Sequence, residues 1–69
     1  MTPIVIRIRE MREVKGWSQV ELGKRAGVRQ ATISHLESGN AKAVDLNVLE
    51  KIAKALGVAA GYLIVKKGE

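Results

Sequence analysis

The sequence predicts an all-α fold of five short helices, optionally flanked by short N- and C-terminal β-strands. The chain has 69 residues, enough for one domain, and single glycines divide it into short segments. In most segments, apolar residues recur every three or four positions, as on the buried face of a helix. Residues 4–8 and 63–67 are instead rich in β-branched residues, which favours strands. We therefore predict a single domain over residues 1–69.

Composition favours a negatively charged partner. Twelve Lys and Arg residues against seven Asp and Glu give a formal net charge of +5, which points to polyanions and to nucleic acid first. The absence of cysteine excludes disulfides and cysteine-rich zinc sites. The longest apolar run, LGVAAGYLIV, is about half of the roughly 20 residues that span a membrane. Charges also come too early at the N-terminus for a signal peptide, so we expect a soluble, cytoplasmic protein without membrane association.

The N-terminal segment changes from a strand pattern to a helix pattern. The stretch IVIRIR alternates between two faces, which predicts a first strand. Ile8 and Met11 then share one helical face, with Arg12 beside them. We expect helix 1 over residues 9–15, ending at Gly16.

Helix 2 has the clearest start in the sequence. Ser18, followed three residues later by Glu21, predicts a capping box, in which each side chain accepts a hydrogen bond from the other residue's backbone N–H. Trp17 and Leu22 flank this box at the spacing of a hydrophobic staple. The helix should end at Gly27, because glycine adopts the left-handed conformation at little cost.

Three further helices follow. Helix 3 lies within residues 27–40 and should end at Gly39. Asp45 is a good N-cap for helix 4, which should end at Gly57, and a short fifth helix is expected near residues 59–63. The apolar face of helix 4 has a period of 3.6 and comprises Leu46, Leu49, Ile52, Ala53 and Leu56.

Helices 2 and 3 are separated by only three residues, AGV, and can share one small core. Gly23 lacks a side chain, so helix 3 can cross close above it, and Gly27 permits the sharp turn. A steep crossing leaves the outer face of helix 3 protruding, which is the geometry of a helix-turn-helix. The predicted structural residues of this unit are Leu22, Gly23, Ala26, Gly27, Val28, Ile33 and Leu36.

These residues also carry a family resemblance. Over about residues 8–64, the chain resembles a Cro/C1-type (XRE family) helix-turn-helix domain, which has a lambda-repressor-like fold, with the motif itself at about residues 18–37. The similarity lies in SQVELGKRAGVRQATISHLESGN and DLNVLEKIAKALGV. The family's small residue corresponds to Gly23, its turn glycine to Gly27 and its buried β-branched residue to Ile33. The resemblance implies a homodimeric transcriptional regulator, in the first instance a repressor, that binds double-stranded DNA.

Three features depart from the family pattern. The family often has Ala where Gly23 stands, which slightly weakens helix 2 here. It often has Ser or Thr where Arg29 stands, at the N-cap of helix 3, and Arg cannot accept a backbone N–H there. Flanking strands occur in only part of the family, so the mode of dimerisation stays open.

The resemblance assigns base recognition to the outer face of helix 3. The amide of Gln30 can donate and accept together, which suits the N6/N7 edge of adenine, and Ala31 can contact a thymine methyl group. The alternative is an ordinary solvated helix face. The predicted base-contacting residues are Gln30, Ala31, Ser34 and His35.

A second set of residues is expected to contact the DNA backbone. Gln19 begins helix 2, where backbone N–H groups favour an anion such as phosphate. The resemblance implies that Gln19 binds phosphate and also braces Gln30. Such contacts fix the register on DNA without reading its sequence. The predicted phosphate-contacting residues are Gln19, Arg29, Ser38, Asn40 and Lys42.

Arg12 and Glu37 form a predicted pair. The family often joins these two positions by a partly buried salt bridge; the alternative is two surface charges that contribute almost nothing to stability.

Other functions are less well supported by the residues. His35 is the single histidine, so neither a metal site nor a catalytic pair is expected, and we predict no cofactor and no enzyme activity. The main alternative is an antitoxin or adaptor whose partner is another protein, held by the edges of the strands at residues 4–8 and 63–67. The same edges offer a route to dimerisation.

Overall fold

The computed structural model describes residues 4–39 and 44–66. In chain order, its elements are β1 (Ile4–Ile6), α1 (Ile8–Val14), α2 (Gln19–Ala26), α3 (Gln30–Glu37), α4 (Leu46–Leu56), α5 (Ala60–Leu63) and β2 (Ile64–Lys66). The predicted order of five helices between two strands is confirmed within these ranges. None of these helices has both the length and the apolar content needed to cross a lipid bilayer.

The two terminal strands pair with each other. They form an antiparallel two-stranded sheet with the register Ile4↔Lys66, Val5↔Val65 and Ile6↔Ile64. A two-stranded sheet is marginal in water by itself. Here it is continued by a hydrogen bond from the backbone N–H of Arg7 to the carbonyl oxygen of Leu63, at 2.8 Å. The sheet is thereby attached to the helical part of the domain.

The predicted boundary between β1 and α1 is wrong by one to two residues. The strand ends at Ile6 and the helix begins at Ile8, where the alternating pattern predicted continued strand. The reason is that Ile8 is completely buried and belongs to the core that the helices share.

The core is aliphatic and draws on all five helices. Trp17 and Val28 pack against its edge and are half-buried. Of the predicted helix-turn-helix residues, Gly27 is exposed at the turn, and the others apart from Val28 are buried. The buried apolar residues are Ile8, Leu22, Ala26, Ile33, Leu36, Leu49, Ile52, Ala53, Leu56 and Leu63.

The helix caps are largely as predicted. Asp45 Oδ1 accepts from the backbone N–H groups of Asn47, at 2.8 Å, and Val48, at 3.2 Å, and so caps α4. Gly27 ends α2 with φ of 71°, in the left-handed region that favours glycine. Arg29 precedes α3 without a side-chain capping bond, as its chemistry requires.

The capping box at α2 is only half formed, which corrects the sequence prediction. Ser18 Oγ accepts from the backbone N–H of Glu21 at 3.0 Å. The carboxylate of Glu21, however, accepts from Arg25 Nε at 2.6 Å. The Arg25 guanidinium also lies 4.4 Å from the centre of the Trp17 ring, so a stacked cation keeps this carboxylate away from the helix start.

At Gly23, α2 passes close to the backbone of the turn. A Cβ atom at this position would lie 2.7 Å from the carbonyl oxygen of Val28. Carbon and oxygen atoms do not approach so closely without repulsion, and a backbone atom cannot rotate away as a side chain can. The absence of a side chain at Gly23 therefore sets how tightly α3 packs on α2.

We expect Gly23→Ala to lower the free energy of unfolding by about 1–3 kcal/mol, because the overpacking outweighs the better helix propensity of alanine. The matched control is Gly61→Ala in α5, where an added Cβ meets nothing within 4 Å and where we expect unchanged or higher stability. Urea denaturation measures both. A Gly23→Ala protein that is as stable as the parent would show that the turn relaxes freely.

Candidate nucleic-acid interface

The outer face of α3 carries the four predicted base-contacting residues, and the structure brings them together. At 3.6 residues per turn, Gln30, Ala31, Ser34 and His35 share one side of the helix, and all four are exposed. On the opposite side, Ile33 and Leu36 are buried in the core. The helix is thus held by one face and presents three polar side chains and the methyl group of Ala31 on the other.

Three of the five predicted phosphate-contacting residues, Gln19, Arg29 and Ser38, lie among the described residues. Arg29 lies exposed at the N-cap of α3. The hydroxyl of Ser38, at the other end of the helix, donates to the carbonyl oxygen of His35 at 2.6 Å. Asn40 and Lys42 lie outside the described residues.

A partly buried ion pair holds α3 against α1. Arg12 Nε donates to Glu37 Oε2 at 2.8 Å, and Arg12 Nη2 donates to Glu37 Oε1 at 3.0 Å. Arg12 Nη1 donates to the carbonyl oxygen of Trp17 at 2.8 Å. The side chain of Glu37 is 0% exposed and that of Arg12 is 12% exposed. The predicted partly buried salt bridge is therefore confirmed, in the two-bond geometry that arginine and carboxylate favour.

Two more side chains converge on the same carboxylate. Arg9 Nε lies 3.3 Å from Glu37 Oε1, and Gln19 Nε2 donates to that oxygen at 3.1 Å. Gln19 Oε1 in turn accepts from Gln30 Nε2 at 3.5 Å, the contact that the predicted bracing of Gln30 requires. Arg9 was not predicted to join this group, although its spacing of three residues from Arg12 places both on one side of a helix.

The environment of Glu37 keeps it ionised. Burial on its own raises the pKa of this carboxyl. The hydrogen bonds from Arg12, Gln19 and Arg9, together with the charge of Arg12, outweigh burial and bring the pKa of Glu37 below its ordinary value. The hydrogen bond to Glu37 likewise raises the pKa of Arg12. At neutral pH the group is therefore a carboxylate that can only accept hydrogen bonds.

Within residues 4–39 and 44–66, no group of three or more His, Cys, Asp or Glu side chains is placed to hold a metal ion.

An exposed second helix, a glycine turn and a polar outer face above a shared core define a helix-turn-helix DNA-binding domain. Comparison with known proteins specifies the family. The helix-turn-helix family matches residues 8–63, and the chain belongs to its Cro/C1-type (XRE) group.

Three relatives illustrate the similarity. The chain is 39% identical over 61 residues to an uncharacterised HTH-type transcriptional regulator, YozG of Bacillus subtilis, a match that covers 88% of this chain and 73% of YozG. It is 35% identical over 51 residues to HigA2 of Mycobacterium tuberculosis, a protein designated an antitoxin, covering 74% of this chain and 50% of HigA2. The third relative is SinR, the master regulator for biofilm formation of Bacillus subtilis.

SinR supplies two solved complexes for comparison. Its crystal structure with DNA superposes with a TM-score of 0.78 at 33% identity, covering 83% of this chain and 90% of that chain. Its complex with the protein SinI gives a TM-score of 0.78 over 83% of this chain and 55% of that chain.

We expect Glu37→Gln to lower the free energy of unfolding at pH 7 by about 3 kcal/mol, the lower end of the range for breaking a buried pair. Because the folded-state pKa of Glu37 is lowered, its contribution is present above the unfolded-state value of about 4.3 and is lost as pH falls through the folded-state value. The deficit of the variant should therefore shrink in thermal melts taken between pH 7 and pH 3.

The matched control for this prediction is Glu21→Gln. It removes the pair with Arg25, whose side chains are 52% and 41% exposed, and should change stability by less than about 1 kcal/mol. Equal midpoints for Glu37→Gln and the parent at pH 7 would mean that the Arg12–Glu37 pair contributes nothing.

Proposed function

We propose that the chain is a sequence-specific, double-stranded DNA-binding transcriptional regulator, in the first instance a repressor, that inserts α3 into the major groove as a homodimer. The observation that carries the proposal is the exposed outer face of α3 above a fully buried inner face. Membership of the Cro/C1-type family and the similarity to SinR, which has been solved with DNA, support it. Such a protein acts by binding, without catalysis, and would act in the cytoplasm.

Base recognition would use the four exposed side chains of α3. Gln30 can donate to N7 and accept from N6 of adenine, and Ala31 can contact a thymine methyl group. Ser34 and His35 lie about one turn further along and can reach base edges or the backbone.

Phosphate contacts would surround the reading helix. Arg29 flanks the start of α3, and Gln19 begins α2, where free backbone N–H groups favour an anion. The net charge of +5 supports binding to a polyanion and predicts that affinity falls as salt rises. The full proposed set is Gln19, Arg29, Ser38, Asn40 and Lys42.

A homodimer would place two copies of α3 in successive major grooves, about 34–36 Å apart. The sheet of β1 and β2 leaves one edge of each strand unpaired by the other, and such edges pair readily with a second chain. Two-fold symmetry would then be matched by a roughly palindromic operator.

A second function, as an antitoxin or adaptor bound to another protein, is favoured by two observations. One is the similarity to HigA2, which is designated an antitoxin, and the other is the SinR–SinI complex. Protein binding through the sheet edges is compatible with DNA binding through α3. Co-purification with a second protein, or poor DNA affinity without one, would favour this function as the main one.

The decisive experiment is selection of bound sites from random duplex DNA, followed by the stoichiometry on the winning site. We expect a site with two related half-sites about 10–10.5 base pairs apart, occupied by two chains. Failure to enrich any sequence would reject sequence-specific binding, and one chain per site would reject the homodimer.

We expect Gln30→Ala to weaken binding to the selected site by about 1–3 kcal/mol and to relax the preference at one base pair, because it removes a two-bond contact. Arg29→Ala is the contrasting variant, since loss of a phosphate contact should weaken all sequences alike and reduce the salt slope by about one. Fluorescence anisotropy on selected and random duplexes separates the two. Equal losses on both duplexes for Gln30→Ala would contradict a base-reading role.

A further inference from the structure

The buried carboxylate of Glu37 and the exposed amide of Gln30 are joined by one side chain, that of Gln19. Gln19 Nε2 donates to Glu37 Oε1 at 3.1 Å, and Gln19 Oε1 accepts from Gln30 Nε2 at 3.5 Å. We propose that Glu37 is a positioning residue that, through Gln19, fixes which way round the amide of Gln30 faces the DNA. The effect on base recognition rests on the proposed function, whereas the orientation itself belongs to the free protein.

The direction of this relay follows from the chemistry of its first member. A carboxylate accepts hydrogen bonds and cannot donate one, so the amide of Gln19 must turn its nitrogen toward Glu37. Its oxygen then faces Gln30, and only the nitrogen of the Gln30 amide can complete the next bond. If the Gln19 amide were rotated by 180°, two oxygens would face each other across the 3.1 Å contact.

The first member of the relay is held firmly. The side chain of Glu37 is 0% exposed, and both of its oxygens accept from Arg12. Gln19 donates to Glu37 Oε1, the oxygen that also accepts from Arg9 and Arg12. The two arginines of α1 therefore fix the position of this acceptor independently of α2. The last link, at 3.5 Å, is long for an N–H···O bond and gives little energy itself. Its importance is that it passes on a direction set by the shorter bonds.

Orientation matters because Gln30 would read a base with both ends of its amide. With one N–H directed to Gln19, the other N–H and the oxygen remain for a base, in a defined order along the groove. Adenine presents N7 as acceptor and N6 as donor. A reversed amide would place its oxygen against N7 and its N–H against N6, and neither hydrogen bond could form. Glu37 would therefore influence the choice of base without touching DNA.

Two variants interrupt the relay at different points. Gln19→Met removes both of its bonds and leaves the Arg12–Glu37 pair in place. Glu37→Gln leaves one oxygen to accept from four N–H donors and replaces the other oxygen by an N–H₂ group, so Gln19 no longer faces a group that can only accept. Ile52→Val is the control, because this residue is fully buried in the core and loss of one methyl group weakens the fold without changing the relay.

Gln30→Ala first identifies the base pair at which the sequence preference is relaxed. The DNA readout is then the affinity for the selected site divided by the affinity for a duplex that differs from it only at this base pair. Partial unfolding lowers both affinities equally and cancels in this ratio. We expect a loss of at least about fivefold in the ratio for Gln19→Met and Glu37→Gln, at this base pair only, and no loss for Ile52→Val. In the Gln30→Ala background, neither variant should lower the ratio further. An unchanged ratio for Gln19→Met would overturn the proposal.

A second readout needs no DNA and separates this proposal from the proposed function. In ¹⁵N–¹H NMR spectra of the free protein, Glu37→Gln should move the side-chain amide signals of Gln30, although the two residues are connected only through Gln19. The side-chain amide of Asn47, exposed on α4, should stay in place. Unmoved Gln30 signals in both folded variants would reject the relay, even if the protein binds DNA specifically. If Glu37→Gln does not fold, Glu37→Asp takes its place, because the shorter side chain keeps the charge and withdraws the carboxylate from Gln19.

Discussion

The ion pair between Arg12 and Glu37 is the interaction on which the arrangement of the first three helices depends. The aliphatic core can hold α3 against the domain, but apolar contacts are not directional and do not fix its rotation. The carboxylate of Glu37 supplies direction, because it receives bonds from Arg12 and Arg9 on α1 and from Gln19 on α2. One buried group thus sets the orientation of three helices relative to each other.

A buried charge is costly unless its bonds are satisfied, and this site satisfies them. Both Glu37 oxygens have partners, and Arg12 also donates to the carbonyl oxygen of Trp17. Among the described residues, no buried side-chain nitrogen or oxygen lacks a hydrogen bond. An apolar pair of similar volume could be as stable. It would not, however, offer Gln19 an acceptor, so the choice of charged residues serves geometry as much as stability.

The sequence was most informative where structure is local. Helix order, the cap at Asp45 and the left-handed Gly27 follow from neighbouring residues, and the Arg12–Glu37 pair followed from a family resemblance. Contacts that depend on tertiary geometry were harder to foresee. The spacing of Arg9 and Arg12 places both on one side of α1 but does not show which carboxylate Arg9 reaches, 28 positions away. The spacing of four residues between Glu21 and Arg25 was a local signal for their ion pair, which competes with the capping box. The exposed face of α3 was predicted, whereas its connection to Glu37 was not.

The pairing of β1 with β2 has a mechanical consequence. Because Ile4 lies opposite Lys66, any segment joined before β1 and any segment joined after β2 leave the domain at adjacent points. Tension between two such segments would load the three registered pairs one after another, as in opening a zipper, and not all at once. The sheet would therefore open at a lower force than a sheet whose pairs are all loaded together.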